Sequence, residues 1–109
     1  MTSHSDLLIK LKVYKVKDKD GLWASKGMSF TTNGKVWNGK GPLKCAFNTV
    51  LNRYRNIDPT TGNYVPGLRR PKEEMLESFF NHAEENGWHI YEMTDAGARW
   101  LTVREFYNE

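Results

Sequence analysis

Apolar and polar positions alternate along the first part of the chain. Leu7, Ile9, Leu11 and Val13 fall on one side and Lys10 and Lys12 on the other, the pattern of a half-buried β-strand with lysines in water. The phase changes at Val13–Tyr14, after which Tyr14 and Val16 are the apolar pair and Lys15 and Lys17 the polar one. A bulge, or a change in which face is covered, accounts for this. Residues 1–6 are polar and expected to fray, and Asp18-Lys19-Asp20-Gly21 reads as a turn.

The stretch from Phe30 to Tyr54 organises the rest. Leu22 and Trp23 begin a second extended piece, loosened by Ser25-Lys26-Gly27. Met28–Thr32 and Lys35–Trp37 flank Asn33-Gly34. That dipeptide predicts a tight hairpin, because both residues tolerate the left-handed backbone of a type I′ turn. Asn38-Gly39-Lys40-Gly41 is a second bend, and Pro42 suits the first turn of a helix. Leu43, Ala46, Phe47, Val50, Leu51 and Tyr54 recur at three- and four-residue steps, one apolar stripe of an amphipathic helix. Lys44, Asn48, Asn52, Arg53 and Arg55 face away.

Residues 56–70 are rich in turn formers and predict a long loop, a functional or mobile segment. A second helix opens at Pro71, carries Glu73, Glu74 and Glu77 near its positive end, and stops at Gly87. Its apolar residues are Met75, Leu76, Phe79, Phe80 and Ala83. Trp88–Met93 predicts a short strand covered on both faces, followed by a turn at Thr94–Gly97. Over Leu101–Tyr107 a short helix is preferred to a strand: Thr102 and Glu105 have capping-box spacing, with Leu101 placed to staple against Phe106. The expected architecture is α+β, a single domain over 1–109. A small antiparallel sheet (N-terminal strand, Asn-Gly hairpin, late strand) would carry two main helices on one face.

Charge changes the picture more than composition does. The net charge of +3 conceals two unlike halves: residues 1–55 hold eleven Lys or Arg against three Asp, and residues 56–109 hold five against ten acids. A basic half attracts a nucleic-acid backbone or an acidic protein surface. The acidic half argues against nucleic acid wrapping the whole molecule. The single cysteine excludes an internal disulfide, and the polar N-terminal residues lack signal-peptide character. A cytoplasmic location without membrane association is expected.

No catalytic arrangement emerges. Cys45 lies on the first helix without a nearby histidine and reads as a structural thiol. His4, His82 and His89 lack metal-ligand spacing. The glutamates of the second helix read as its solvated face. Gly34-Lys35 and Gly39-Lys40-Gly41 invite a phosphate-loop reading, but the spacing is wrong and Pro42 removes an N–H donor. A weak anion site of Lys40, Lys44 and backbone amides remains open. The chain is therefore read as non-enzymatic, with no cofactor and no metal. Trp23, Phe30 and Trp37 stand among Lys26, Lys35 and Lys40. Such interleaving stacks bases when the rings are exposed and builds a core when they are not.

The succession Tyr14-Lys15-Val16-Lys17, Gly21-Leu22-Trp23, Gly34-Lys35-Val36-Trp37 and Leu43-Lys44 resembles a group of small tailed-bacteriophage proteins, whose final strand is similar to Trp88-His89-Ile90-Tyr91-Glu92. The resemblance covers about half the chain and implies a phage origin and action in the bacterial cytoplasm. It carries over no catalytic residue. Two functions are expected. In the first, an accessory protein binds a host protein, such as a defence or replication factor that it would inhibit, through Tyr64, Arg69, Arg70 and exposed hairpin aromatics such as Trp23 and Trp37. In the second, nucleic acid binds Lys10, Lys12, Lys26, Lys35, Lys40, Lys44, Arg53 and Arg55.

Overall fold

The computed structural model describes residues 12–109; the Leu7–Leu11 alternation and the polar start therefore lie outside the described residues. Five antiparallel strands form one sheet in the order β3-β2-β1-β4-β5. β1 is Val13–Lys17, β2 Trp23–Ala24, β3 Phe30–Thr31, β4 His89–Thr94 and β5 Gly97–Thr102. Helices α1 (Lys40–Leu51), α2 (Lys72–Glu85) and α3 (Val103–Asn108) complete the fold. The α+β architecture with its two main helices on one face agrees with the sequence reading.

The core forms where the alternating strand residues meet the helical stripes. Tyr14 and Val16 of β1, Ile90 of β4 and Leu101 of β5 are buried beneath Leu43, Phe47, Val50 and Leu51 of α1 and Met75, Phe79, Phe80 and Ala83 of α2. Phe47 sits at the centre, its ring 5.3 Å from Phe79, 6.1 Å from Trp88 and 6.0 Å from Phe106. Burying rings of this size supplies most of the hydrophobic driving force in a chain this short.

The helix ends follow local chemistry. Glu73 and Glu74 occupy the first turn of α2, where the helix dipole favours negative charge. At its other end Trp88 N–H donates to Ala83 O (2.8 Å) and Gly87 N–H to Glu84 O (3.1 Å), a Schellman closure that needs the left-handed backbone of Gly87, at φ 66°. In α3 the capping box is formed as expected: Glu105 N–H donates to Thr102 Oγ1 (3.0 Å) and Thr102 N–H to Glu105 Oε1 (2.8 Å). Leu101 and Phe106 beside it are both buried.

Three readings need correction. The Asn33-Gly34 turn exists, with Gly34 at φ 70°, but it joins no two-stranded ladder. Phe30–Thr31 pairs backward with Trp23–Ala24. Beyond the turn the chain crosses to β1, where Trp37 bridges Tyr14. A Cβ on Gly34 would lie 2.3 Å from Trp23 Cβ, so the glycine serves close packing as well as the turn. Secondly, β4 is central but covered on one face only: Ile90 and Glu92 are buried while His89 is exposed. Thirdly, β5 continues from the Thr94–Gly97 turn as an edge strand that pairs with β4 through all six residues. Sequence patterning assigns no element to most of it.

Residues 56–70 are built rather than slack. Ile57 bridges Tyr64, and Asp58 turns the tip by accepting from Thr60 N–H through Oδ1 and from Gly62 N–H through its carbonyl (2.8 and 2.7 Å). Arg70 clamps the base: its guanidinium donates to Tyr54 O, Glu74 O and Ser78 Oγ (3.2, 3.2 and 2.9 Å).

A candidate binding face on the sheet

The helix-free side of the sheet collects the alternate strand residues. Strand pairing aligns Lys15 with Tyr91 and Tyr91 with Trp100, and sets Lys17 opposite both His89 and Trp23. From these positions the aromatic side chains converge. The Trp23 and Trp100 rings stack 6.2 Å apart, 20° from parallel, and Tyr91 lies 4.8 Å from Trp100. Lys15 Nζ stands 4.3 Å from the Trp23 ring centre, and Lys17 Nζ flanks both indoles at 5.4 and 6.0 Å. Trp100 is 49% exposed, a large apolar surface left in water beside the Lys17 ammonium.

At the margin of this face Lys17, Asp18, His89 and Trp100 line a recess of about 200 Å³. Asp18 Oδ1 accepts from Asp20 N–H and Leu22 N–H (2.9 and 3.0 Å), which fixes the β1–β2 turn. His89 Nδ1 lies 3.1 Å from Gly87 O. A carbonyl can only accept, so Nδ1 carries the donated proton. The face thus combines flat stacking surfaces with nearby positive charge. Such a combination is suited to stack a flat ring and to attract an anion.

On the helical side of the sheet, near its β5 edge, a second polar cluster surrounds Glu92, 5% exposed. Tyr14 O–H donates to Glu92 Oε2 (3.0 Å), Arg99 Nε donates to Oε1 (2.8 Å), and Lys12 Nζ stands 3.8 Å away. Burial pushes the Glu92 carboxyl up, but the Arg99 and Tyr14 hydrogen bonds and the Lys12 charge outweigh it and hold the group below the usual carboxylate range. Burial, reinforced by the carboxylate beside it, pushes the Tyr14 phenol up to about 12. A third pairing lies in a cavity of about 300 Å³ between the 56–70 loop and α2, with Tyr54 Oη 2.9 Å from His82 Nδ1. Burial lowers His82 below the usual imidazole range, against the opposing charge of Glu85.

The residues singled out from sequence do not share one surface. Trp23 joins the sheet face, with Lys15 and Lys17 as its cationic neighbours. Trp37 is 4% exposed, part of the core, and cannot contact a partner; the bridge to Tyr14 turns its ring inward. Phe30 is packed on Trp88, 5.2 Å between rings. Lys26 and Lys35 are exposed on the turns beside β2 and β3. Lys40 donates to Glu109 O, and Lys44 lies over the Tyr107 ring (5.0 Å). Arg53 and Arg55 are exposed on the 3₁₀ turn after α1, and Arg69 on the loop. Arg70 is committed to its carbonyl clamp. Tyr64, 68% exposed, and Val65, 38% exposed, form an apolar loop tip.

Sequence reasoning misses Tyr91, Trp100 and His89 as surface residues and leaves Lys15 and Lys17 out of the candidate site. The signal available is the alternation itself. Residues flanking Val16 and Ile90 must point away from the helices once the helices are confined to one side.

Among the described residues no group of three or more His, Cys, Asp and Glu side chains is placed to hold a metal ion, and no helix is long and apolar enough to cross a membrane. Comparison with family models, with curated proteins and with solved structures gave no match.

Proposed function

We propose that the protein is a non-enzymatic single-strand nucleic-acid-binding module acting through the open face of its sheet. The observation that carries this reading is the Trp23–Trp100–Tyr91 cluster under Lys15 and Lys17. Bases stack on indole and phenol faces without regard to sequence, while lysines follow the phosphates. Duplex DNA keeps its bases stacked inside and gains only the electrostatic part of this interaction. The expected site of action is the cytoplasm of a bacterium infected by a phage of the kind the Tyr14–Lys44 pattern resembles. The test is tryptophan fluorescence on titration with single-stranded and duplex oligonucleotides of the same sequence. Quenching that saturates with the single strand at micromolar concentration or below, and is markedly weaker with the duplex, is the expected result. Equal binding, or none, overturns the reading.

One observation favours a second reading, in which the protein binds a host protein. Tyr64 and Val65 project from an ordered loop whose base Arg70 holds in place. A preorganised apolar tip of this kind is suited to fill a pocket on another protein. Pull-down from bacterial lysate at low and moderate salt, with wild type and Tyr64→Ala, tests it: a stoichiometric partner lost in the variant supports it, and no such partner refutes it.

A further inference from the structure

Between α1, the 3₁₀ turn that follows it and the start of α2 lies a cavity of about 360 Å³ that neither reading above uses. Asn48, Asn52, Arg55 and Lys72 line it as exposed residues and Arg70 as a half-buried one. The lining holds three cations and no carboxylate. Among the described residues no ion pair includes Arg55, Arg70 or Lys72. Arg70 decides the character of the site. Its guanidinium is partly withdrawn from water, yet the acceptors it meets are two carbonyls and a hydroxyl, all neutral. A charge in that position is ordinarily matched by an anion. Arg70 N–H also donates to Arg55 O (3.1 Å), which ties the two arginines together. Asp58 and Glu85 stand with Arg70 around the cavity between the 56–70 loop and α2, outside ion-pair distance. Glu73 and Glu74 follow Lys72 in the first turn of α2 but do not line the cavity described here.

We propose that this cavity binds the phosphate group of a small, polar phosphate monoester. Three cations without an internal counter-ion suit a dianion better than a monoanion. Arg55 offers the planar donor fork that matches phosphate oxygens, and Lys72 a mobile point charge. Arg70 supplies charge from a fixed position, its donors being largely spent on the loop clamp. Asn48 and Asn52 are four residues apart, side by side on one helical face. Their amides offer donors and acceptors to hydroxyl groups on the body of the ester. Leu51 and Met75, each 5% exposed, complete the lining but are too buried to give an apolar wall, so an aromatic or acyl body gains nothing here. The volume falls in the range of small-ligand sites. The cavity belongs to the helical side of the sheet, away from Trp23 and Trp100, and the assignment does not depend on nucleic-acid binding. Arg55 and Arg70, singled out from the sequence for two different partners, are thus brought to one place.

The test is a titration of the full chain at constant ionic strength with glycerol 3-phosphate, inorganic phosphate and phenyl phosphate, followed by backbone amide NMR shifts. Glycerol 3-phosphate is expected to give saturable shifts centred on Asn48, Asn52, Arg55 and Lys72. Arg55→Gln and Lys72→Gln, both at exposed positions, should each weaken binding by about tenfold, the loss of one charge-assisted contact. Lys19→Gln removes the same charge near the other end of α2, where Lys19 N–H donates to Asn86 O, and should leave the affinity unchanged. Shifts that are absent or centred elsewhere overturn the proposal. So does an affinity that Arg55→Gln and Lys72→Gln leave intact, or that Lys19→Gln lowers equally, since the attraction would then be non-specific. Inorganic phosphate binding more tightly than glycerol 3-phosphate would overturn the assignment to an ester, and phenyl phosphate doing so would overturn the polar body.

Discussion

Trp23 and Trp100 stack at 6.2 Å although two strands, β1 and β4, separate β2 from β5. The indoles reach toward each other across the sheet, and the Lys17 ammonium stands beside the pair. If this roof is the binding platform, Trp100→Ala should weaken single-strand binding by about 1–3 kcal/mol, the stacking contribution of one base. Fluorescence titration with the single strand checks the affinity. Because Trp100 is half exposed, thermal unfolding should change far less than binding.

The lysines should act through the phosphates. Replacing Lys15 and Lys17 with Gln is expected to lower the slope of log affinity against log salt by about 1.4, roughly 0.7 for each phosphate that is no longer neutralised. Titrations at several salt concentrations measure that slope. An unchanged slope would remove both lysines from the phosphate path.

Gly34 couples the turn to the binding face. In Gly34→Ala the new methyl must displace Trp23 Cβ, 2.3 Å away, from a backbone already at φ +70°. A loss of about 2 kcal/mol or more in chemical denaturation is expected, together with weaker oligonucleotide binding as Trp23 shifts.

Arg70 is expected to control the order of the loop. Arg70→Met keeps much of the side chain's length but removes three donated hydrogen bonds, to Tyr54 O, Glu74 O and Ser78 Oγ. A loss of about 2–3 kcal/mol is expected. Amide exchange should quicken across residues 56–70 and leave β4 and β5 protected.

Alkaline pH should destabilise the fold through Tyr14. Its phenol is raised from 10.0 to about 12, so the folded state holds the proton more tightly than the unfolded chain. That stability is fully present below about pH 10 and is lost as pH rises toward 12, about 3 kcal/mol in all. Glu92 works in the opposite sense: its lowered value gives stability present above the ordinary carboxylate range and lost as pH falls through the folded value. Stability measured from pH 9 to 12 should fall less steeply in Tyr14→Phe than in wild type, the remaining limb coming from Tyr54 and Tyr107, whose phenols burial also raises.

Much of the fold can be read directly. The stripe from Leu43 to Leu51, the glutamates opening α2, the Gly87 stop and the Thr102–Glu105 box are local chemistry, and local chemistry survives folding. Tertiary pairing is less legible. Asn33-Gly34 has the residues of a hairpin turn, yet the strand before it finds its partner in Trp23–Ala24, a pairing no two-residue motif encodes. β5 escapes because Gly97, Ala98 and Arg99 have weak strand propensity and acquire their conformation from the β4 ladder. The binding face escapes for a related reason: its residues belong to four strands, and only the register joins them. Trp37 shows the converse case, a ring among lysines in sequence that the Tyr14 bridge turns into the core.

Each strand of the sheet serves two masters at alternate positions, since β1 gives Tyr14 and Val16 to the interior and Lys15 and Lys17 to the outer surface. Substitutions on the outer set can therefore vary the exposed surface without touching the interior. Insertion or deletion of one residue within β1 or β4 has no such freedom, because it would exchange the two sets at once and drive lysine inward. Change in this protein is expected to accumulate by replacement on the strands and by length variation only at the loop tip between Asp58 and Asn63.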